Sequence, residues 1–406
     1  MKILHINNYI SGGGAETVFS LSINATANDN FTGYVPQNNS IQTGSIVFNS
    51  WENENSFLGV INYIFSRKNY ILLMDFLEKN NINIIHLHGF FSVISPSILL
   101  AIKKFKAKTN VKVVQTLHDF HLNCPNSSLY NFNDKLICNK CIGLNFKYHI
   151  FLDNCDRRGW FYSIIKGLRS IVSNNILHHK ILIDAFIAPS NFLFSKLVEE
   201  KIEANRIHII RNPGKLKQKQ IENKKENIIC YFGRFSREKN LNFLIESFNR
   251  WKRISKNNFR LLLIGEGEER SILKSIAGNS EFAGSIIFKD FLPQDALFNE
   301  ICNAKYFCLT SSCYENSPMA IIEALSLNII PIVPNLGGMA ESITELFKIG
   351  RTYQPGDYEN WIATMTELES VYEVECSKFS TLQDQIAGPE TYKFELGNLY
   401  NQIISA

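Results

Sequence analysis

The sequence lacks long hydrophobic runs and a recognisable export signal. No stretch of its 406 residues reaches the roughly 18 to 20 consecutive apolar residues that a membrane-spanning helix needs. Lys2 is followed by only a short apolar run, which is too short for a secretory signal. The nine cysteines are an odd number in a long chain, which argues against a disulfide framework. These absences predict a protein of the reducing cytoplasm.

The chain is instead large and unevenly charged. With 406 residues, 45% of them hydrophobic, it can build two domains of ordinary size. Residues 1–213 carry 21 Lys and Arg against 14 Asp and Glu, whereas the remainder carries 21 against 24. The first half of the chain is therefore the part expected to meet an anionic partner.

Strand-like and helix-like stretches alternate twice along the chain. Buried strands are expected at KILHINN, INIIHLHG and VKVVQTLHD, and the pattern restarts with NIICYFG and FRLLLIG after the lysine-rich RNPGKLKQKQIENKKEN. Ser190 is expected to cap a helix, and another is expected from about Thr17. This alternation predicts an α/β fold with two Rossmann-like doubly wound parallel sheets, whose ligands bind beyond the carboxyl ends of the strands.

The stretch YENSPMAIIEALSLNIIPIV places two glutamates around a predicted helix start. Ser317 is a good N-cap residue, and Pro318 suits the first helical position. Glu315 then lies just before the helix and Glu323 inside it, so both flank a helix N-terminus, which attracts anions. An anion that also carries hydroxyls, such as a sugar nucleotide, would satisfy these groups. The alternative is a helix with one solvated and one capping glutamate.

Several motifs together resemble a known enzyme family. The second half contains YFGRFSREKNLNFLIESF, LLLIGEGEERSIL, the two-glutamate stretch and NLGGMAESI, and the first half contains SGGGAETVFSLS and TLHDFHLNCP. In this order they resemble the family-4 (GT4) retaining glycosyltransferases of the GT-B fold that build bacterial surface polysaccharides. The resemblance implies an acceptor-binding domain over 1–213 and a sugar-nucleotide (donor) domain over 214–385 across a central cleft. Residues 386–406 would form a helix returning to the first domain.

The resemblance also implies roles for individual residues. His118 and Glu315 would be the catalytic residues beside the donor sugar, and Glu323 would hold the ribose. The remaining donor-binding residues would be Gly13, Gly14, Arg234, Lys239, Phe291, Leu292, Ser317, Pro318 and Met319. Alternatives stay open, because a basic loop, a glycine turn and a histidine at a strand end are also common without ligands.

The expected chemistry needs no metal. The sequence contains no Asp-x-Asp motif, so the diphosphate of the leaving nucleotide would be met by Arg234, Lys239 and the helix dipole. The family implies retention of anomeric configuration, with front-face attack and the leaving phosphate as base. No cofactor is expected for catalysis.

A cysteine-bearing loop over 120–156 departs from the family pattern. It contains four cysteines with a Cys-x-x-Cys at its centre: Cys124, Cys138, Cys141 and Cys155. Four thiolates at such spacing can close a structural zinc site, which would have no open position for catalysis. The alternative is four free thiols.

The expected partners follow from the resemblance and from the charge of the first half. The donor would be a UDP- or GDP-sugar, and the acceptor a polyprenyl-diphosphate-linked glycan of O-antigen, lipopolysaccharide or capsule synthesis. The stretches AIKKFKAKTNVK and RRGWFYSIIKGLRSIVSNNILHHK suit the anionic inner leaflet, although an ordinary packed helix would look similar. Nucleic acid is not expected. A sugar-nucleotide epimerase or a non-catalytic glycan-binding relative are the alternative functions.

Overall fold

The chain forms two compact units. The computed structural model describes residues 1–26, 30–37, 44–54, 56–214, 224–384 and 386–405. Unit 1 comprises Met1–Pro213 together with Pro389–Ala406, and unit 2 comprises Gly214–Gly388. Most of the lysine-rich segment predicted as a linker, residues 215–223, lies outside the described residues.

Unit 1 is built on a seven-stranded parallel sheet with the strand order β3-β2-β1-β4-β5-β8-β9. Its strands are β1 Ile3–Ile6, β2 Asn30–Tyr34, β3 Ser45–Val47, β4 Ile84–Leu87, β5 Lys112–Thr116, β8 Ala185–Ala188 and β9 Ile207–Ile209, with a small antiparallel pair, β6 Tyr130–Asn131 and β7 Leu136–Ile137, in the cysteine-bearing loop. Its helices are α1 Gly14–Ala25, α2 Ser56–Ile64, α3 Arg67–Lys79, α4 Ser97–Lys106, α5 His149–Leu152, α6 Trp160–Ser170, α7 His179–Leu182 and α8 Asn191–Glu199, a π-helix at Ile171–Ile176 and a C-terminal helix at Pro389–Ser405.

Unit 2 repeats this architecture with a six-stranded parallel sheet in the order β12-β11-β10-β13-β14-β15. Its strands are β10 Glu226–Phe232, β11 Arg260–Ile264, β12 Ile286–Lys289, β13 Ala304–Cys308, β14 Ile330–Pro334 and β15 Arg351–Tyr353. Its helices are α9 Leu241–Lys252, α10 Arg270–Gly278, α11 Gln294–Ile301, α12 Met319–Ser326, α13 Gly337–Glu341, α14 Tyr358–Ser370 and α15 Tyr372–Ser377, with a 3-10 turn at Arg237–Lys239 and a π-helix at Ser342–Leu346.

The central strands explain why both sheets are covered by helices on two faces. All four residues of β4 and of β8 are buried, as are all five of β14, so neither face of these strands can meet water. Such continuous apolar strands are typical of parallel sheets between helix layers. The predicted fold class, α/β with two parallel sheets, is confirmed.

Helix starts were the least accurate part of the prediction. Ser190 caps α8 as expected, since its side chain accepts a hydrogen bond from the Leu193 N–H. The prediction of Ser317 as an N-cap is wrong, because Pro318 occupies the N-cap position of α12. Pro318 therefore stands one residue before the predicted place. Helix α1 also begins at Gly14, three residues earlier than the expected start at Thr17.

Candidate functional site

The loops that leave the carboxyl edge of the unit 2 sheet pack backbone against backbone. A Cβ placed on Gly265 would lie 1.9 Å from the Gly233 carbonyl oxygen, and one on Gly338 would lie 1.5 Å from that of Asn316. Because every other residue carries a Cβ, only glycine fits where these two pairs of loop backbones come so close. The loops after β10, β11, β13 and β14 are thereby drawn together along one edge, where the predicted donor-binding residues lie.

Lys239 and Glu315 form the centre of this edge. Lys239 ends the 3-10 turn at Arg237–Lys239, and its Nζ lies 2.9 Å from Glu315 Oε1, with both side chains mostly buried. The Ser311 hydroxyl donates to the same carboxylate oxygen. The Lys239 carbonyl is fixed by the Thr310 hydroxyl at 2.8 Å, so the turn is held to the loop after β13.

The charge of Lys239 is stabilised by its neighbours. Burial alone would lower the pKa of Lys239, but the adjacent Glu315 carboxylate and Tyr231 hydroxyl outweigh burial and raise it. The ammonium group therefore stays protonated across the physiological range. A protonated, partly buried lysine at the end of parallel strands can meet a phosphate, and Glu315 can accept hydrogen bonds from hydroxyls.

Arg234 lies on the same loop as Lys239 but is exposed. Among the described residues, its side chain has no hydrogen bond or ion pair; only its carbonyl is engaged, by the Tyr231 hydroxyl at 2.9 Å. The guanidinium is therefore free to turn toward an anion. Ser317, Pro318 and Met319 lie partly buried directly before and at the start of α12.

Glu323 projects from α12 and contacts a residue that the sequence motifs did not indicate. Its Oε1 accepts a hydrogen bond from Gln294 Nε2 at 3.2 Å. Burial raises the pKa of Glu323, and the hydrogen bond from Gln294 partly offsets this. Phe291 is exposed and Leu292 is partly packed on the unit 2 core, both just ahead of α11.

In unit 1, the glycine loop already holds a carboxylate. Gly13 is the N-cap of α1 and Gly14 is its first residue. The Gly13 N–H donates to Glu16 Oε2 at 2.9 Å, and a Cβ on Gly13 would lie 3.2 Å from that oxygen. A phosphate approaching this loop would therefore have to displace Glu16, a residue that the sequence reasoning did not consider.

His118 ends a row of buried imidazoles on the unit 1 sheet. Its Nε2 lies 3.2 Å from His88 Nδ1, and the two rings stack. Desolvation by burial lowers the pKa of His118 to about 4 and that of His5 to about 3. It also places the pKa values of His86 and His88 well below 6.5. The row is therefore neutral at pH 7, and His118 there can accept or donate a hydrogen bond without charge.

Three histidines of this row lie close enough together to be considered as metal ligands. Within the described ranges, His5, His86 and His88 are the only trio of potential ligands whose atoms all lie within 4.8 Å of one another. Both nitrogens of His86 are, however, hydrogen-bonded, to the Tyr400 hydroxyl at 2.6 Å and the Thr116 hydroxyl at 2.8 Å. A metal would have to break one of these buried bonds, so we interpret the trio as a hydrogen-bonded core cluster.

A second buried chain of hydrogen bonds orients Asp119, the neighbour of His118. Gln115 Nε2 lies 3.1 Å from His121 Nε2; because an amide NH₂ can only donate, the His121 proton is on Nδ1 and points to Asp119 Oδ1, 2.5 Å away. Gln115 Oε1 in turn accepts from His179 Nε2 at 2.8 Å. Asp119 thus presents one fixed and one free carboxylate oxygen at the carboxyl end of β5.

The four cysteines of the loop come near one another without forming a closed tetrahedron. Cys124, Cys141 and Cys155 are buried and Cys138 is partly exposed. Burial raises the pKa of Cys141 to about 12, and charge on Cys124 or Cys138 would raise it further. No three of their sulfur atoms all lie within 4.8 Å of one another, the distance that the histidine trio meets. Zinc binding would require the sulfurs to move together and lose their protons.

The structure therefore brings some predicted residues into contact and leaves others apart. Lys239 and Glu315 touch directly, and Arg234 and Glu323 belong to loops and helices at the same edge of unit 2. His118, Gly13 and Gly14 belong to unit 1. Gln294, Ser311 and Glu16 were missed, since no motif marks a neutral or capping side chain that acts through a neighbour.

Comparisons with known proteins find relatives for unit 2 and for the fold of the whole chain. Residues 214–378 match the family model described as "Glycosyl transferases group 1". The chain is 23% identical over 231 residues to the lipopolysaccharide 1,6-galactosyltransferase of Escherichia coli strain K12, covering 55% of this chain and 62% of that relative. The match thus spans less than two thirds of the relative.

Solved structures resemble the chain over almost its full length. The apo form of the lipopolysaccharide outer core galactosyltransferase WaaB matches with a TM-score of 0.63 at 16% identity, covering 99% of this chain and 100% of that one. Anabaena HepE in complex with UDP-glucose matches with a TM-score of 0.67 at 15% identity, over 99% and 100% of the two chains. The fold is that of GT-B glycosyltransferases.

Proposed function

We propose that the protein is a retaining, metal-independent glycosyltransferase of the GT4 type. It would move a hexose from a nucleotide-diphosphate sugar to a growing lipid-linked glycan such as O-antigen, lipopolysaccharide or capsule. Residues 214–385 would bind the donor, residues 1–213 the acceptor, and residues 386–406 would complete the acceptor domain. The observation that carries the proposal is the partly buried Lys239–Glu315 pair at the carboxyl edge of the unit 2 sheet, with Glu323 on the following helix α12.

Each group in unit 2 suits one part of such a donor. Lys239 and the free guanidinium of Arg234 would bind the diphosphate, and the start of α12 at Ser317, Pro318 and Met319 would add its dipole. Glu315 would accept hydrogen bonds from the sugar and stabilise positive charge as the glycosidic bond breaks. Glu323 would bind the ribose, with Phe291 and Leu292 next to the base. UDP-sugars are the first donors to test, because relatives of this fold were solved with UDP and UDP-glucose.

The remaining catalytic steps are assigned to unit 1 and to the donor itself. His118, neutral at pH 7 because burial lowers its pKa to about 4, would hydrogen-bond the donor sugar without opposing charge build-up. Gly13 and Gly14 would approach the diphosphate once Glu16 turns away. The leaving phosphate would take the proton of the attacking hydroxyl, so no metal or cofactor would enter the reaction.

A membrane-facing surface would bring the enzyme to a lipid-linked acceptor. Helices α2 and α6 pack together and expose Phe57, Phe161 and Trp160 by 75%, 61% and 56%. Among the described helices, none is long and apolar enough to span a bilayer. These side chains, in the basic half of the chain, would insert at the anionic cytoplasmic face of the inner membrane. Arg169, in the basic stretch expected to face lipid, is instead buried, so charge there is smaller than the sequence suggests.

A zinc ion is proposed as a structural element of the cysteine-bearing loop. Cys124, Cys138, Cys141 and Cys155 would hold it and thereby order the loop around β6 and β7. Protein purified without added metal should contain about one zinc per chain by elemental analysis. Cys138→Ser should lower both zinc content and melting temperature, and a fully folded, zinc-free parent protein would refute this part.

One experiment tests the function directly. The protein should be stabilised in a thermal-shift screen by one class of UDP- or GDP-sugar and should release the nucleotide diphosphate only when crude lipid acceptor is added, with EDTA present throughout. A sugar nucleotide converted into its epimer without acceptor would instead indicate a sugar-nucleotide epimerase. Binding of glycan without any turnover would indicate a non-catalytic relative. Turnover that EDTA abolishes and Mg²⁺ restores would refute metal independence.

Membrane association has its own test. Phe161→Ser and Phe57→Ser should reduce sedimentation with vesicles containing a third of anionic lipid by several-fold, since each removes a large apolar side chain from the interface. Phe394→Ser, on the C-terminal helix and equally exposed at 69%, is the matched control and should sediment like the parent protein. Equal loss in all three variants would show that the α2–α6 surface is not the membrane contact.

A further inference from the structure

A polar cavity of about 720 Å³ lies at the amino edge of the unit 2 sheet, opposite the edge that carries the candidate donor site. We call it the amino-edge cavity. Its charged lining comprises Glu226 at the start of β10, Arg260 at the start of β11, Lys305 on β13, and Lys224 and Lys225 before β10. Four cations thus accompany one carboxylate, although the chain after residue 213 carries 24 Asp and Glu against 21 Lys and Arg. Positive charge is concentrated here in the more acidic part of the chain.

Lys225 offsets the negative ends of two helices that point to this edge. Its Nζ donates to the carbonyl of Cys302, the C-cap of α11, at 2.9 Å, and to that of Leu327, the C-cap of α12, at 2.7 Å. A helix C-terminus carries about half a negative charge, so one ammonium group offsets two such ends. Burial lowers the pKa of Lys225 to about 8, because desolvation disfavours the charged amine. The helix ends therefore do not repel an anion from this edge.

Two further lysines remain without a carboxylate. The charge of Glu226 is offset by Arg260, whose Nη2 lies 2.6 Å from Glu226 Oε2. In the part of the chain that the structure describes, neither Lys224 nor Lys305 forms an ion pair, and Lys305 Nζ lies 4.7 Å from the centre of the Tyr372 ring. About two positive charges are therefore left over, and an anion with two negative charges would balance them.

The neutral part of the lining suits hydroxyl groups. Asn258 Oδ1 accepts from Lys252 Nζ at 3.0 Å, so the NH₂ group of Asn258 is left to donate. Asn303 Nδ2 donates to Glu226 Oε1 at 3.3 Å, and the Asn227 amide has no hydrogen bond within the described ranges. Every lining residue is Lys, Arg, Glu or Asn, so a nucleobase or a lipid tail would find no apolar partner. The cavity favours a ligand that combines an anion with hydroxyls.

We propose that the amino-edge cavity is a second ligand site that binds a sugar phosphate, whose phosphate monoester carries about two negative charges near pH 7. The phosphate would lie between Lys224 and Lys305, and the amides of Asn227 and Asn258 would contact the sugar hydroxyls. A free sugar phosphate and a phosphate-bearing end of a glycan share this chemistry.

The inference does not rest on the proposed function. Strand β10, which joins the two edges of the sheet, has seven residues and is therefore roughly 20 Å long. A ligand in the amino-edge cavity would thus bind without touching Lys239 or Glu315 at the carboxyl edge.

Isothermal titration calorimetry at pH 7 with glucose 1-phosphate tests the site. The parent protein should bind this dianion at least fivefold more tightly than glucuronate, which carries one charge, and should not bind glucose. Lys305→Gln should weaken binding about tenfold and the more exposed Lys224→Gln about threefold, because each removes a charge-assisted contact that solvent partly screens. Lys274→Gln, an exposed lysine of α10 outside the cavity, is the matched control and should bind like the parent.

A second control separates this site from the donor site. Lys239→Ala should bind glucose 1-phosphate like the parent, because Lys239 lies at the other edge of the sheet. If Lys239→Ala lost binding and Lys305→Gln kept it, the phosphate would lie at the donor edge, and the inference would be refuted while the proposed function stood. A parent protein that binds no glucose 1-phosphate at millimolar concentration, or an equal loss in Lys274→Gln, would also refute it. Tighter binding of maltotriose with a terminal phosphate would identify a glycan end as the ligand, and weaker binding a free sugar phosphate.

Discussion

The two units differ in their histidine content. All nine histidines of the chain lie in unit 1, and residues 214–388 contain none. Six of them have a lowered pKa because burial disfavours the imidazolium: His5, His86, His88, His118, His179 and His208. Both units also contain ion pairs, such as the buried Lys147–Glu200 pair of unit 1 and the Lys239–Glu315 pair of unit 2. Unit 1 thus differs by its buried neutral imidazoles, which acid would charge.

This difference in histidine content should make the stability of the two units depend differently on pH. A buried imidazole stays neutral in the folded chain because burial lowers its pKa. When pH falls below the pKa of the unfolded chain, only the unfolded chain binds a proton there, and this shifts the equilibrium toward unfolding. A lysine–glutamate pair keeps both charges from about pH 5 to pH 10 and responds to salt rather than to mild acid. The stability of unit 1 should therefore fall near pH 5, where the ion pairs of unit 2 keep their charges.

The largest expected effect is selective acid unfolding of unit 1. The folded pKa values of its histidines lie below the unfolded value near 6.5, so their stabilisation is complete above pH 6.5 and is lost as pH falls toward the folded pKa. At pH 5, His5, whose pKa burial lowers to about 3, should by itself destabilise unit 1 by about 2 kcal/mol. His86, His88 and His179, whose pKa values burial also lowers, should add to this loss.

Hydrogen-exchange mass spectrometry at pH 7 and pH 5, scaled for intrinsic exchange rates, can measure this difference. Peptides from β1, β4 and β5 should lose protection at pH 5, whereas peptides from β10, β13 and β14 should keep it. The histidine-free unit 2 serves as the internal control. Simultaneous loss of protection in both units would show that unit 1 is not more sensitive to acid than unit 2.

The second effect is on turnover and is confined to unit 2. Glu315→Gln keeps the shape of the side chain but removes the charge that would stabilise the transition state. The kcat should fall about 100-fold, with nearly unchanged affinity for the nucleotide diphosphate. Glu323→Gln should show the reverse, with weaker donor and nucleotide binding and a smaller change in kcat.

Steady-state kinetics with calorimetry of the nucleotide diphosphate would separate these variants. Glu345→Gln, an exposed glutamate of the same unit, is the matched control and should resemble the parent. If Glu315→Gln abolished nucleotide binding while Glu323→Gln slowed only turnover, the assignment of the two glutamates would be reversed.

The third effect concerns the clamp on the diphosphate. Lys239→Ala should weaken nucleotide diphosphate binding by about 1.5–3 kcal/mol, the range for a charge-assisted hydrogen bond. The variant also leaves the Glu315 carboxylate without its cation. Arg237→Ala, on the same turn but 67% exposed and paired with Glu269, is the control with little expected change. Unchanged nucleotide affinity in Lys239→Ala would place the clamp elsewhere.

The smallest expected effect is a change in the free energy of unfolding when a helix cap is removed, and it tests whether the two units unfold independently. Ser190 caps α8 in unit 1, and Asp357 caps α14 in unit 2 by accepting from the Asn360 N–H at 2.9 Å. Ser190→Ala and Asp357→Ala should each cost about 1 kcal/mol. Chemical denaturation followed by hydrogen exchange should show each loss only in the unit that carries the change. Equal destabilisation of both units by either variant would show that they unfold as one.

The sequence predicted the strands better than the contacts between side chains. Buried strands and the Ser190 cap follow from local composition, and both were predicted correctly. The contacts of the site depend on residues far apart: Gln294 and Glu323, Lys239 and Glu315, or His86 and Tyr400, which are 314 positions apart. No periodicity encodes such pairs, because they arise from the order in which parallel strands assemble.

Local competition explains the other differences. Pro318 is the N-cap of α12 where Ser317 was expected. Glu16 accepts from the Gly13 N–H in the loop that was expected to approach the diphosphate, since a glutamate three residues into a helix reaches back to the N-cap. Both cases concern the choice of one partner among several within a turn, which residue types alone do not determine.

The C-terminal helix gives unit 1 an unusual order of assembly during synthesis. The Tyr400 hydroxyl reaches His86, and the Tyr392 hydroxyl lies 2.7 Å from that of Ser22, yet both tyrosines are translated after unit 2 is finished. All residues of unit 2 are therefore synthesised before the last helix of unit 1. Until that helix is in place, the side chains of His86 and Ser22 lack these two hydrogen-bond partners. Unit 1 is therefore begun before unit 2 and completed after it.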